Sequence, residues 1–364
     1  MSLQIFLVGF SAFVVLLIVL LWRRTGVYHA PDINGYNVFI TGGSSGIGLA
    51  LARLFYEAGA SVTLIARSMS RLHEARETLL ANCDDRDRIH LVSLDLCGSY
   101  SIIERDLSAH LALVDMGIYQ FVDAILFSTG TPDILVNCAG YAASQLFIDT
   151  SVDTIESLLR TNYLASVYVT KVLLPHMLKT SERNGATVYP IDRRIVFVST
   201  MAAQVSVYGF AAYGASKSAV RGLAEALRLE LEPTGPLVTL AFPPDTDTPG
   251  LARENIGKPA ATVEISSAGG LATPEQVART IFADTLDGKI ISAFGFEGKA
   301  LSLATAGLLP PVSTCGFGWR SWFDLVFTAL GEVLAAGPLR AFGIGYAFWM
   351  RYVISKHIKV PRTA

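Results

Sequence analysis

Positive charge is in short supply in this chain: 29 Lys and Arg stand against 31 Asp and Glu, for a formal net charge of -2. Such a balance carries no basic field of the kind a DNA or RNA partner requires, so nucleic-acid binding is excluded. Cysteine is scarce too. The four present, Cys83, Cys97, Cys138 and Cys315, form no Cys-x-x-Cys pair, and the six histidines show no metal-ligand spacing. That excludes a disulfide framework and a structural metal, and points to a reduced, metal-free compartment. Charged residues of all kinds make up only 16% of the 364 residues, against 51% hydrophobic ones, and mean hydropathy is positive. A length of this order makes one large domain or two smaller ones, and the apolar excess predicts contact with a membrane.

The apolar excess is concentrated at the two ends. Residues 3–22, LQIFLVGFSAFVVLLIVLLW, carry no charge, and about 20 such residues are enough to cross the hydrocarbon core. The neutral start, the length of the run and Arg23 and Arg24 behind it predict an uncleaved transmembrane anchor over 1–24 rather than a signal peptide. Basic residues stay on the cytoplasmic side, which places all that follows in the cytosol. A linker over 25–36 comes next. At the other end, residues 296–364 hold an uncharged run from Ala300 to Trp319 broken by Pro310 and Pro311, then a second apolar stretch interrupted by Asp324, Glu332 and Arg340. Those charges argue against a simple span and for a membrane-associated segment, a re-entrant hairpin or interfacial helices. The alternative is a helical extension packed on the core.

Between the ends, residues 37–295 alternate short apolar runs with amphipathic ones. NVFIT, SVTLIA, HLVSLDL, DILVN, RIVFVS, PLVTLAF and KIISAF are rich in Val, Ile and Leu and bounded by turn residues. Strands of near-continuous apolar character interleaved with helices predict an α/β fold, a Rossmann-type, doubly wound parallel sheet covered on both faces.

Three motifs lie on that frame. NVFITGGSSGIGLALARLF joins the first strand to the first helix through Gly42, Gly43, Gly46 and Gly48. Glycines there let the backbone approach a pyrophosphate, the helix N-terminus faces the anion, and Ser44, Ser45 and Ile47 complete the turn. After the second strand, SVTLIARSMSRL supplies Arg67 and Arg71 where an NAD site usually carries an acid for the ribose 2′-hydroxyl. Arginines suit a 2′-phosphate, which selects NADP(H). Asp95, ending the third strand, is placed to hold the adenine amino group or to cap a helix. Finally, AAYGASKSAVRGLAEALRLEL sets Tyr213 and Lys217 four apart on one helix face. An ammonium beside a phenol favours the phenolate, so the pair predicts a Tyr213 pKa lowered from about 10.

With VNCAG at 136–140, TNY around Asn162 and VFVST before the tyrosine, these motifs resemble the short-chain dehydrogenase/reductase superfamily. More specifically, VFVSTMAAQVSVYGFAAYGASKSAVRGLAEALRLEL, VTLAFPPDTDTPGLARENIGKPA and PEQVARTI resemble the 3-ketodihydrosphingosine reductases. The resemblance implies NADPH-dependent reduction of 3-ketosphinganine, a single long chain with an amine head, at an endoplasmic reticulum membrane. It implies Tyr213 as proton donor, Lys217 on the nicotinamide ribose, Asn162 holding a relay water, and Asn137, Ala139 and Gly140 beside the adenine ribose. The catalytic hydroxyl falls to Ser199, which keeps the residue type, or Thr200, which keeps the spacing. In FPPDTDTPG, residues 242–250, Thr246 and Thr248 are placed to meet the carboxamide and pyrophosphate. Asp245 and Asp247 stay wet or face the substrate amine. The superfamily often pairs through long helices, which would make an oligomer. Two other readings remain: a membrane reductase of another lipid ketone, steroid, retinoid or fatty acyl, and an inactive cofactor- or lipid-binding scaffold.

Overall fold

A computed structural model describes residues 32–81, 85–98, 100–101, 103, 130–183, 186–232, 234–306 and 319–357. The expected anchor over 1–24 and the first part of the linker lie outside them. In chain order the described strands are β1 (Asn37–Thr41), β2 (Ser61–Ala66), β3 (Ile89–Ser93), β4 (Ile134–Asn137), β5 (Ser181–Arg183), β6 (Ala186–Val188), β7 (Arg194–Val198), β8 (Leu237–Phe242) and β9 (Ile291–Ala293). The helices are α1 (Gly46–Glu57), α2 (Met69–Leu80), α3 (Val152–Leu159), α4 (Ala165–Met177), α5 (Ala211–Leu231), α6 (Pro249–Glu254), α7 (Ala260–Ser267), α8 (Pro274–Leu286), α9 (Gly295–Ala304) and α10 (Trp319–His357).

Seven strands make one sheet in the order β3-β2-β1-β4-β7-β8-β9, all neighbours parallel, and β5 with β6 forms a separate antiparallel hairpin. Each of the seven predicted apolar runs supplies one strand of the sheet. The third is shorter than expected at its end: β3 stops at Ser93, and Asp95 sits in the turn beyond.

Side chains alternate across the sheet because the strand repeat is two. Val38 and Ile40 of β1, with Val62 and Leu64 of β2, face a core closed by α1, α2 and α8. Phe39 and Ile65 face the opposite core, closed by α4 and α5. Both faces are therefore covered, which is why the strands are apolar throughout. The linker's last part belongs to this body: Ile33 is buried in the first core and the Gly35 N–H donates to Gly59 O at 3.0 Å.

Register sets the site. Thr41 pairs with Ile65 on one side and Asn137 on the other, and Val198 pairs with Ala241, so the strands end along one carboxyl edge. The chain order reverses between β1 and β4, the switch point where α/β sheets open a ligand crevice.

Beyond β9, α9 is followed by a single 39-residue helix, α10, that continues through Pro338. Leu339 packs on Ala300 of α9 and Val353 on Ala261 and Ile265 of α7. Among the described residues no helix is long and apolar enough to cross a membrane.

Candidate active site

The loop from β1 into α1 is built for close approach. Gly42 and Gly46 have φ of 69° and 57°, where a side chain would be strained. A Cβ on Gly48 would stand 2.4 Å from Gly42 O, and one on Gly42 would stand 3.0 Å from Ala139 Cα. Ser45 is the N-cap of α1 but makes no side-chain cap bond, so the first-turn N–H groups stay available to an anion at the positive end of the helix. Ile47 packs on the core behind the loop. These features fit the pyrophosphate of a nicotinamide dinucleotide. At the end of β2, Arg67 and Arg71 are both exposed, and neither guanidinium has a side-chain partner among the described residues.

Thr41, which sequence reasoning passed over, fastens the crevice floor. Its hydroxyl donates to Val136 O at 3.3 Å and accepts from the N–H groups of Cys138 and Ala139 at 3.0 and 3.1 Å. The turn carrying Gly140 is thus pinned to β1. Asn137 is buried, and its amide donates to Thr170 Oγ1 on α4 at 3.0 Å. Asp95 is exposed, and its carboxylate caps its own turn by accepting from the Cys97 N–H at 3.1 Å. A short polar side chain satisfies its own turn locally in this way.

Asn162 lies in one turn of π-helix, Arg160–Leu164, between α3 and α4. It is 1% exposed. Its Oδ1 accepts from the Tyr141 N–H at 2.9 Å, and its Nδ2 donates to Tyr141 O at 3.0 Å and Ser216 Oγ at 2.9 Å. Ser216 in turn donates to Tyr213 O at 2.7 Å. Ser216 was not foreseen, and it makes Asn162 a brace between the β4 turn and α5. Gly140 is needed for this packing: a Cβ there would meet Asn162 Oδ1 at 2.8 Å and Lys217 Nζ at 3.1 Å.

On α5, Tyr213 is half-buried and Lys217 is buried. Lys217 Nζ donates to Val198 O at 2.9 Å. The two hydroxyls just beyond β7 point to different neighbours. Ser199 is buried and donates to Lys217 O at 3.1 Å, whereas the Thr200 side chain lies beside the Tyr213 phenol. Thr200 also caps the next turn by accepting from the Ala202 N–H at 3.3 Å.

The expected electrostatics need correcting. Burial pushes the Tyr213 phenol above its ordinary value, Glu254 and then Asp245 push it further, and only the Thr200 hydrogen bond pulls it back. Burial is the largest cause, and Lys217 gives its ammonium to the Val198 carbonyl. Burial also draws Lys217 down to about 8, partly offset by Cys138, whose own thiol burial raises to about 11.

The segment 242–250 is held on three sides. The Met201 N–H donates to Pro243 O at 3.2 Å, and Thr246 donates its hydroxyl to Pro244 O at 2.9 Å. Ala272 N–H donates to Asp245 O at 3.0 Å while Asp247 N–H donates to Ala272 O at 2.9 Å. Thr248 caps α6, accepting from the Leu251 N–H at 3.1 Å, and its methyl lies against Gly46. Both threonine hydroxyls therefore have local partners, and it is the loop's position over the glycine turn that sets it against the crevice. Asp245 and Asp247 part company: Asp247 is exposed, whereas Asp245 faces Lys258.

A parallel sheet with a glycine turn after β1, at its switch point, and a Thr-Tyr-Lys constellation two strands along, beyond β7, defines a nicotinamide-dependent dehydrogenase class. The sequence matches the short chain dehydrogenase family over residues 36–112 and 109–258. It is 37% identical to the 3-dehydrosphinganine reductase of Danio rerio, covering 83% of this chain and 85% of that one. It is 39% identical to the 3-ketodihydrosphingosine reductase of Mus musculus, covering 77% of each. Among solved structures, a short-chain dehydrogenase from Streptomyces avermitilis superposes with a TM-score of 0.56 at 25% identity, covering 74% of this chain and 91% of that one. The chain belongs to the short-chain dehydrogenase family, in the branch whose curated members are named 3-ketodihydrosphingosine reductases.

Proposed function

We propose that the protein reduces 3-ketosphinganine to sphinganine with NADPH. The observation that carries this reading is an intact Thr200, Tyr213 and Lys217 constellation at the carboxyl edge of the sheet, in a chain whose relatives are named for that reaction. When bound, the nicotinamide supplies the hydride that reduces the C3 ketone. Tyr213 gives its phenolic proton to the oxygen as charge develops there, and Thr200 donates a hydrogen bond to the same oxygen. Lys217 binds the nicotinamide ribose, and Asn162 holds the β4 turn against α5 and positions the relay water. The free Arg67 and Arg71 support NADPH over NADH, because a guanidinium suits the 2′-phosphate.

The chain is further proposed to sit at the endoplasmic reticulum membrane with its catalytic domain, 37–295, in the cytosol. The uncharged residues 3–22 and the basic pair behind them support an anchor. Exposed Leu330, Val333, Phe348 and Tyr352 on α10 support an apolar, membrane-associated segment over 296–364. Exposed Leu159 and Leu229 on α3 and α5 support pairing of copies.

The test uses the full chain in detergent, following NADPH absorbance with 3-ketosphinganine and, separately, with a steroid ketone. Turnover of the sphingoid ketone alone is expected, and Tyr213→Phe removes it while leaving NADPH binding nearly intact. Absence of turnover with the sphingoid ketone, or turnover retained by Tyr213→Phe, overturns the reading.

A further inference from the structure

Three charged side chains stand beside the catalytic tyrosine, and the reduction chemistry above uses none of them. Lys258 Nζ lies 2.8 Å from Glu254 Oε1 and 3.8 Å from Asp245 Oδ2. The lysine side chain is 1% exposed, that of Glu254 10% and that of Asp245 30%. The ammonium sits 5.4 Å from the Phe210 ring centroid, and that ring packs edge-on against Tyr213 with centroids 5.3 Å apart. The cluster therefore borders the place where the substrate ketone must lie.

A structural ion pair accounts for part of this. Glu254 and Lys258 are four residues apart and would pair in many proteins. It does not account for the second carboxylate. Two carboxylates against one ammonium leave a net negative charge, with Glu254 and Lys258 largely out of water and Asp245 partly exposed, an arrangement that suits a further cation. Burial holds the Glu254 carboxyl above the ordinary carboxylate range despite Lys258, with Asp245 adding to the rise. Both carboxylates also act on the Tyr213 phenol. In the substrate the amine is borne by the carbon next to the ketone. A ketone oxygen at Thr200 and Tyr213 thus brings an ammonium to the same side chains.

We propose that Asp245 and Glu254, held together by Lys258, bind the substrate's ammonium group and so select an amino ketone over a neutral one. The inference rests on the reading that the substrate is a sphingoid ketone. It separates Asp245 from Asp247, which is exposed and lies with Arg53 and Glu275 beside Gly46. Asp245 is the group with open exposure for direct contact, and Glu254 supplies the buried charge behind it.

The experiment compares two ketones with the full chain in detergent: 3-ketosphinganine and the same long-chain hydroxyketone lacking the amine. Wild-type kcat/KM is expected to favour the amine-bearing ketone by at least about tenfold, the scale of a charge-assisted hydrogen bond. In Glu254→Gln and Asp245→Asn that ratio falls about tenfold, chiefly through KM for the amine, and Glu254→Asp restores part of it. NADPH binding measured by fluorescence identifies variants that remain folded. Equal wild-type turnover of the two ketones overturns the proposal while leaving the reductase reading intact, and needs no variant. An unchanged ratio in both folded variants also overturns it. Wild-type turnover of neither ketone removes the sphingoid reading and this proposal with it.

Discussion

The Thr200 side chain stands beside the Tyr213 phenol, while Ser199, one residue earlier, turns the other way and donates its hydroxyl to the Lys217 carbonyl at 3.1 Å. A donor aimed at a developing oxyanion is worth about 10²–10³ in kcat. Thr200→Val is therefore expected to lower kcat for the sphingoid ketone on that scale. Ser199→Ala loses one neutral hydrogen bond, about 1 kcal/mol of stability, and leaves kcat within a few-fold. Steady-state rates and melting temperatures of the two variants check this, and the opposite ranking would return the role to Ser199.

Lys217 makes stability depend on pH. Below about pH 8 the folded, cofactor-free chain carries a buried ammonium. Between about 8 and the ordinary 10.5 the folded chain releases that proton first. The unfolded state then binds more protons, so this contribution to stability rises with pH, by up to about 1.4 kcal/mol per pH unit. Cys138 and Tyr213 are raised and act in the opposite sense, from about pH 9 and 10 upward. The melting temperature of wild type minus that of Lys217→Met is accordingly expected to climb by about 1–2 °C between pH 8 and 9. A flat or falling difference would contradict the buried ammonium.

Two glycines make a matched pair of tests. A Cβ at Gly140 meets Asn162 Oδ1 at 2.8 Å and Lys217 Nζ at 3.1 Å, whereas one at Gly222 meets nothing within 4 Å. Gly140→Ala should cut kcat at least about tenfold by displacing the lysine and the brace, because misplacement of about 1 Å can cost 10²-fold. Gly222→Ala, inside the exposed face of α5, should stabilise by about 0.5–1 kcal/mol. Thermal melts and turnover distinguish the two.

The exposed Arg67 and Arg71 bear on cofactor choice. Replacing both with Ala is expected to raise KM for NADPH at least about tenfold, each lost arginine–phosphate contact being worth about 1.5–3 kcal/mol, and to leave KM for NADH little changed. Equal losses for the two dinucleotides would detach these side chains from the 2′-phosphate.

Much of the frame is local and so was legible. Each strand carries its own apolar run, and the glycine turn and the Tyr-x-x-x-Lys spacing are properties of neighbouring residues. Even α5 begins and ends, at Ala211 and Leu231, where the quoted motif does. Asp95 and Asn137 were harder. Each is a short polar side chain that finds a partner within the chain, the Cys97 N–H for one and Thr170 for the other. Thr170 is 33 residues away in sequence.

By itself the sequence determined the alternation of strand and helix, the bare phosphate turn and the identity of the tyrosine and lysine, since these follow from periodicity and from backbone freedom at glycine. Only the tertiary structure decided which of two adjacent hydroxyls meets the phenol, because that depends on the side of β7 against which α5 packs. It also decided that Lys217 bonds a carbonyl, that Ser216 ties Asn162 to α5, and that Asp245 rather than Asp247 joins Glu254 and Lys258 beside Tyr213. Those are long-range relations, set by packing of elements that no local pattern places together.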